Sequence, residues 1–386
     1  METYFSKLRG LASAAANAVQ SKMGRDYEFN LSGQPTGHSG LWTLYEATRR
    51  ATGQRATVWV FEKQQFFESG LNRQLLNEGG RQRVLSLLTS EASQLARLRH
   101  PSVLQVMEPL EDTRTTLMFA TEHVLACLED LITAQRGDTS RSRSGGADDE
   151  LELDDLAIQK GLLQLCKGLQ FLHADAHLVH SNLTPASILV DARGDWKLGG
   201  LGFACSAQSG TARGYERDYN MPKHAHPELD YWAPERALDG SVLPAGDVFA
   251  LGCLAVAAYC GAPPIASNND IGAYRRELAQ LERTNRVARI PDHLATAVHG
   301  LLVRDPTKRM TLAQFQSSEY FDNVLVATLR YLEALVEQPA DQKIAFMKGL
   351  PRVLPQFPAR VQRRTVLPLL LANASDRAML PFILPN

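Results

Sequence analysis

Apolar positions change their spacing along the chain, and each change marks a new kind of element. From Tyr27 to Glu62 they fall in short runs separated by turn residues, such as Leu41-Trp42-Thr43-Leu44-Tyr45. Thr57-Val58-Trp59-Val60-Phe61 is the clearest of these runs. Short β-branched and aromatic runs between turn signals predict strands. From Leu71 to Leu98 the spacing becomes helical, and His100-Pro101 stops it. Val103 to Val124 returns to strand character, and from Gln159 onward helices dominate. Ahead of all this, Phe5, Leu8, Leu11, Ala12, Ala15 and Val19 recur at helical spacing. They predict an N-terminal helical extension over residues 1–26, docked on the domain.

Val248 to Ala266 carries no charge, but Gly252, Gly261, Pro263 and Pro264 interrupt it. That predicts a buried core helix rather than a membrane span. Beyond about Val324, Leu325, Leu329, Leu332, Leu335 and Val336 mark an amphipathic helix, and Pro351, Pro355, Pro358 and Pro368 punctuate shorter ones. This pattern predicts the opening of a helical solenoid. A solenoid does not bury its faces within one or two repeats, so the tail also predicts that the chain is the N-terminal part of a longer protein. Residues 136–155, RGDTSRSRSGGADDELELDD, are polar and split into a basic and an acidic block. They predict a disordered insertion.

Composition narrows the class. The 386 residues are 44% hydrophobic and 22% charged, which describes a soluble globular protein. The formal net charge of -1 supplies no overall basic field, so nucleic acid is not an expected partner. Cys127, Cys166, Cys205, Cys253 and Cys260 form no C-x-x-C pair, so neither a disulfide framework nor a zinc ribbon is suggested. A reducing compartment follows. The Arg-rich stretch 359–364 reads either as a solvated helix face or as a patch for an acidic partner or lipid headgroups.

The chemistry-bearing residues come in a fixed order. Val179-His180-Ser181-Asn182-Leu183-Thr184-Pro185-Ala186-Ser187 has the frame of a protein-kinase catalytic loop, H-R-D-L-x-x-x-N. Trp196 to Phe203 sits where the D-F-G strand and turn belong, and Ala233-Pro234-Glu235 is an intact A-P-E. Asp247-Val248-Phe249 resembles the start of the buried C-lobe helix. Leu302 to Arg309 resembles the late motif whose Arg pairs with the A-P-E Glu. His180, Glu235, Asp247 and Arg309 are therefore the expected structural residues, with a Glu235–Arg309 ion pair.

Phosphoryl transfer needs positioning and charge neutralisation, and here those parts are replaced. The catalytic Asp is Asn182, whose amide cannot take up a proton. The Asn for the second magnesium is Ser187, and the D-F-G Asp is Gly200, which has no side chain. The phosphate Lys is Trp59 when Ala56-Thr57-Val58-Trp59 is laid on V-A-I-K. The Gly-rich loop is eroded to Gly37 and Gly40, with Pro35 in place of its first Gly. Glu91 stands where the helix Glu belongs, but without the lysine it reads as a solvated residue lacking a partner. Ser181 replaces the catalytic-loop Arg, which removes the usual basic pocket for an activation-loop phosphate. The expected site is thus degenerate: no magnesium or other metal site, no resident cofactor, and ATP not expected. Two rivals stay open. One is a nucleotide-binding regulatory module without turnover. The other is an unconventional kinase using Lys63 for phosphate and Asp191 or Asp195 for metal. The expected class is α+β, a two-lobed kinase-like fold over 27–322 followed by the start of a HEAT-type helical solenoid over 323–386.

A degraded kinase domain running straight into a helical repeat resembles the Scy-like pseudokinase family. The junction carries the likeness: Tyr320-Phe321-Asp322-Asn323-Val324, Phe346 to Pro355, Arg360 to Pro368 and Pro381 to Pro385, with Arg97-Leu98-Arg99-His100-Pro101 earlier. It most resembles the coated-vesicle-associated branch. That resemblance implies a catalytically inactive scaffold in clathrin-dependent traffic between the trans-Golgi network, endosomes and plasma membrane. It implies clathrin or adaptor components as partners, and a cytoplasmic location with peripheral association on Golgi, endosomal or clathrin-coated vesicle membranes.

Overall fold

The computed structural model describes residues 21–136, 151–206, 221–222, 225–283, 290–373 and 381. The amphipathic segment read over 5–19 and the body of the insertion, 137–150, lie outside the described residues.

The apolar runs between Tyr27 and Val124 form one antiparallel sheet. Its strands are β1 (Tyr27–Phe29), β2 (Gly37–Ser39), β3 (Trp42–Arg49), β4 (Arg55–Glu62), β5 (Val106–Asp112) and β6 (Thr116–Glu122), in the order β1-β3-β4-β6-β5, with β2 on β3. β4 is central and buried on both faces, so its sequence is a continuous apolar run rather than an alternating one. Trp59 and Phe61 point to the main core with Trp42, Leu44 and Phe119. Ala56, Val58 and Val60 point the other way, into a smaller cluster closed by Met23, Tyr27 and Leu31.

A short helix Lys63–Glu68 follows β4, and the run read as helical from Leu71 to Leu98 is broken into Gly70–Leu75 and Glu78–Arg97 rather than continuous. Ser69 and Asn77 are extended at the two junctions, and the Asn77 side chain accepts from Gly80 N–H to start the long helix. That helix buries Val84, Leu88, Ala92 and Leu95 against the sheet.

β7 (Val124–Cys127) carries the chain into the second lobe. The second lobe is built on two helices, Asp155–Ala174 and Pro244–Cys260. The latter is buried along most of its length, as its uncharged sequence predicts. No described helix is long and apolar enough to cross a membrane. Gly161 is required by packing: a Cβ there would lie 2.1 Å from Trp196 Cδ2. The insertion is shorter than its composition indicates. Leu153 is buried and its carbonyl accepts from Gln135 Nε2, while Asp154 caps the helix by accepting from Ala157 N–H. The alternating Leu151, Leu153 and Leu156 bring this edge into the core.

The tail forms helices Val324–Glu333, Ala340–Gly349 and Leu367–Asn373, and it folds back on the helix Asp155–Ala174. Gln159 Nε2 donates to Tyr320 O (2.8 Å), and its Oε1 accepts from Asn323 Nδ2 (2.9 Å). Lys160 Nζ reaches Asp195 Oδ1 at 2.6 Å and Thr365 Oγ1 at 3.0 Å. Val326, Leu329, Leu332 and Leu335 are buried, but Val336 is 73% exposed because the chain tightens into a 3-10 turn there. Arg360 is neither a solvated face nor a free patch. It pairs within the chain to Glu152 at 2.8 Å and to Asp154.

Candidate functional site

The motif loops converge between the lobes. β8 (Leu178–Val179) leads into His180, and the buried Asp247 carboxylate anchors the loop that follows. Asp247 accepts from His180 N–H (2.7 Å), Ser181 N–H (2.9 Å) and His173 Nε2 (2.8 Å). Burial pushes the Asp247 carboxyl up, but His173 and His180 outweigh it and hold the group below its usual range. His180 Nδ1 accepts from Asn182 N–H (3.2 Å), so Nε2 carries the proton and donates to Gly199 O (2.8 Å). Burial lowers the pKa of this imidazole, which keeps it neutral. Ser181 takes a left-handed conformation (φ 60°), held by Asp247 and by Trp232 Nε1 donating to Ser181 O at 3.0 Å.

Below this loop Glu235 and Arg309 meet as a bidentate pair, 2.6 and 2.9 Å. Arg309 also donates to the carbonyls of Val303, Ala245 and Arg304 and lies over the Phe249 ring. The scaffold of the loop is thus fully hydrogen-bonded.

The positions that would carry phosphoryl transfer are differently arranged. Ser187 turns its hydroxyl into its own loop, donating to Thr184 O (2.8 Å) and accepting from Thr184 N–H (3.0 Å). Gly200 has φ +65°, and a Cβ on it would lie 2.4 Å from Ser187 Cβ. The space that a side chain at position 200 would need is therefore filled by Ser187. Trp59 is fully buried, stacked on Phe119 at 5.2 Å, with Nε1 donating to Thr121 Oγ1 at 2.9 Å.

Glu91 is not the solvated residue that its lost lysine suggests. It is buried, and it accepts from Trp42 Nε1 (3.0 Å) and from the Gly200 backbone N–H. Burial pushes its carboxyl up to about 7, against which both hydrogen bonds act. Trp42 thus supplies a hydrogen-bond partner for Glu91, and the carboxylate ties strand, helix and Gly200 turn together.

The lobes are also joined across the cleft. Ser39 Oγ donates to Ala186 O (2.7 Å), which pins β2 to the catalytic loop. Cys127 Sγ donates to Pro185 O (3.3 Å). Gly40 makes the β2–β3 turn with φ +56°, while a Cβ on Gly37 would lie 3.0 Å from Asp130 Oδ2. A carboxylate, not a cation, stands beside the eroded loop. On the strand between the lobes, Val124 N–H donates to Thr57 Oγ1 (2.9 Å), so this amide is already spent.

The proposed stand-ins lie elsewhere. Lys63 Nζ binds Asp112 and Thr113 O on the β5–β6 turn. Asp191 accepts from the N–H groups of Arg193 and Asp195 and closes its own hairpin. Asp195 holds Lys160. Each is thus engaged within a turn or, for Asp195, by Lys160 and Gln164 of the helix Asp155–Ala174. Trp42, Ser39 and Thr57 are the site residues that sequence reasoning missed. Thr57 was detectable, since it stands at the Ala of V-A-I-K.

The family pattern described as the protein kinase domain matches residues 43–321. The Schizosaccharomyces pombe protein kinase domain-containing protein ppk32 is 33% identical over 93% of this chain and 49% of its own length. Human SCY1-like protein 2 is 33% identical over 100% of this chain and 42% of its own. A Dictyostelium discoideum relative, 24% identical over 90% of this chain and 37% of its own length, bears the name "probable inactive serine/threonine-protein kinase scy1". The chain spans half or less of the length of these relatives. It belongs to the protein kinase domain family, and SCY1-like proteins are its relatives within it.

Proposed function

We propose that this chain is a catalytically silent kinase-fold scaffold that acts by binding other proteins. One observation supports the reading: a Cβ on Gly200 would lie 2.4 Å from Ser187 Cβ, so a carboxylate at this position has no room. Trp59 replaces a cation with a buried, uncharged ring. Ser39 closes the loop onto Ala186, and Asp130 places a negative charge where phosphates would approach. Asn182 cannot act as a base. The setting we propose is clathrin-dependent vesicle traffic, with clathrin or adaptor components as partners on Golgi or endosomal membranes; its support is the family resemblance alone. The tail, on this reading, begins a helical solenoid.

Thermal melting with and without millimolar ATP, each with and without magnesium, tests the silent cleft. Occupancy at 100 times Kd stabilises by about 2.7 kcal/mol, a shift of a few degrees. No shift is expected. A magnesium-dependent shift, followed by phosphotransfer, overturns the proposal; a shift without magnesium favours the nucleotide-binding module. Co-precipitation of clathrin and adaptors with the tagged chain tests the setting, and their absence from the bound fraction counts against it.

A further inference from the structure

Arg236 lies beside the catalytic loop. This side chain is half-buried, its guanidinium lies over the Trp232 ring at 4.8 Å, and it donates to Gly240 O at 3.2 Å. Its Nε is shielded from solvent and has no hydrogen-bond partner among the described residues. Of the acids around it, Glu235 is committed to Arg309 and Asp247 to His173 and the loop amides, and Asp239, one helical turn on, forms no ion pair with it among the described residues. Burial lowers the pKa of this guanidinium, and among the described residues the Cys205 thiol, not a carboxylate, is the counter-influence.

Arg236 borders a shallow depression of about 20 Å³, room for one small group, walled by Val179, Leu183, Tyr231, Val242 and Leu243. Leu243 stands at its lip, 39% exposed. Ser181 lines the same depression, at the position where the catalytic-loop arginine is missing. A cation is thus delivered to this spot from a different element, next to a small apolar hollow. A half-buried guanidinium that no described carboxylate neutralises favours a carboxylate beside it, and the hollow a small aliphatic group.

We propose that Arg236 and this hollow dock an extended segment of a partner protein in which Asp or Glu adjoins a small aliphatic residue. The proposal rests on the reading of the chain as a non-catalytic binding module and gives that module a surface and a ligand chemistry.

The test displays a library of random 12-residue peptides to the immobilised full chain, then titrates enriched peptides by fluorescence anisotropy in low and high salt. Enrichment of Asp or Glu next to Ala or Val is expected, with affinity falling as salt rises. Arg236→Gln is expected to weaken binding about tenfold to a hundredfold, the range of lost charge-assisted hydrogen bonds. Leu243→Asp weakens it by a similar factor, and Arg236→Glu turns the selection towards Lys and Arg. Melting temperatures of the variants close to the parent show that they fold. A library that returns no acidic motif, or peptides that bind Arg236→Gln equally well, overturns the proposal and leaves the silent cleft untouched. ATP-dependent phosphotransfer overturns the silent cleft whatever the peptides do.

Discussion

Replacing Glu91 by Gln isolates the electrostatics of the cleft. The carboxyl is buried, it accepts two N–H groups, and burial raises it from 4.5 to about 7. An acid whose folded pKa exceeds its unfolded value binds its proton more tightly when folded. Its contribution to stability is therefore complete below about 4.5 and is lost as pH rises through about 7. A tenfold change in proton affinity corresponds to about 1.4 kcal/mol, so the ionised group costs the fold about 3 kcal/mol above neutrality. Glutamine keeps an oxygen for Trp42 Nε1 and removes the titration. Urea unfolding of parent and variant should then be measured at intervals from pH 5 to pH 8. The variant's stability relative to the parent should rise by about 2–3 kcal/mol across that range. A flat difference curve would mean that Glu91 does not titrate in the folded state. A curve of opposite sign would mean that the charge is stabilised by a partner the structure does not show.

Gly200→Ala should cost about 2–5 kcal/mol, from its left-handed backbone and the overlap with Ser187. Ser187→Gly should relieve at least about 1 kcal/mol of that cost in a double-mutant cycle, and additive losses would refute the steric account. Arg309→Met leaves Glu235 buried and unpaired, so the urea midpoint should fall by an amount equivalent to about 3–5 kcal/mol; Arg309→Lys should recover only part, having no bidentate fork. Thr365→Val should cost about 1 kcal/mol and speed proteolytic release of the tail, because Lys160 keeps Asp195 but loses its contact to the tail. Unchanged release would mean that this contact does not hold the tail.

The sequence revealed what is local or ordered along the chain. His180, Glu235, Asp247 and Arg309 could be placed because their motifs keep a fixed spacing, which only one fold explains. The same motif frame led to the expectation that Trp59, Asn182, Ser187 and Gly200 stand at the positions of the catalytic parts. What side chains do after a partner is lost was not visible. Glu91 and Trp42 are 49 residues apart, and only the sheet–helix packing brings them together. The same holds for Ser39 and Ala186, 147 residues apart. Charge-rich stretches misled in the opposite direction. Arg360 and the acidic edge at 152–154 each read as solvated, yet they neutralise each other across 208 residues. The helix break at Asn77 was hidden because its side-chain cap overrides a continuous apolar period.

The joint between Lys160 and the tail bears on how the protein is made. Lys160 emerges from the ribosome 205 residues before Thr365, the hydroxyl that completes its coordination. At about 5–20 residues per second, synthesis leaves the back of the Asp155–Ala174 helix without its cover for about 10–40 s. During that interval Gln159 also waits for Tyr320 and Asn323. The second lobe therefore completes this face only after residue 365 has been made, long after the helix that it covers.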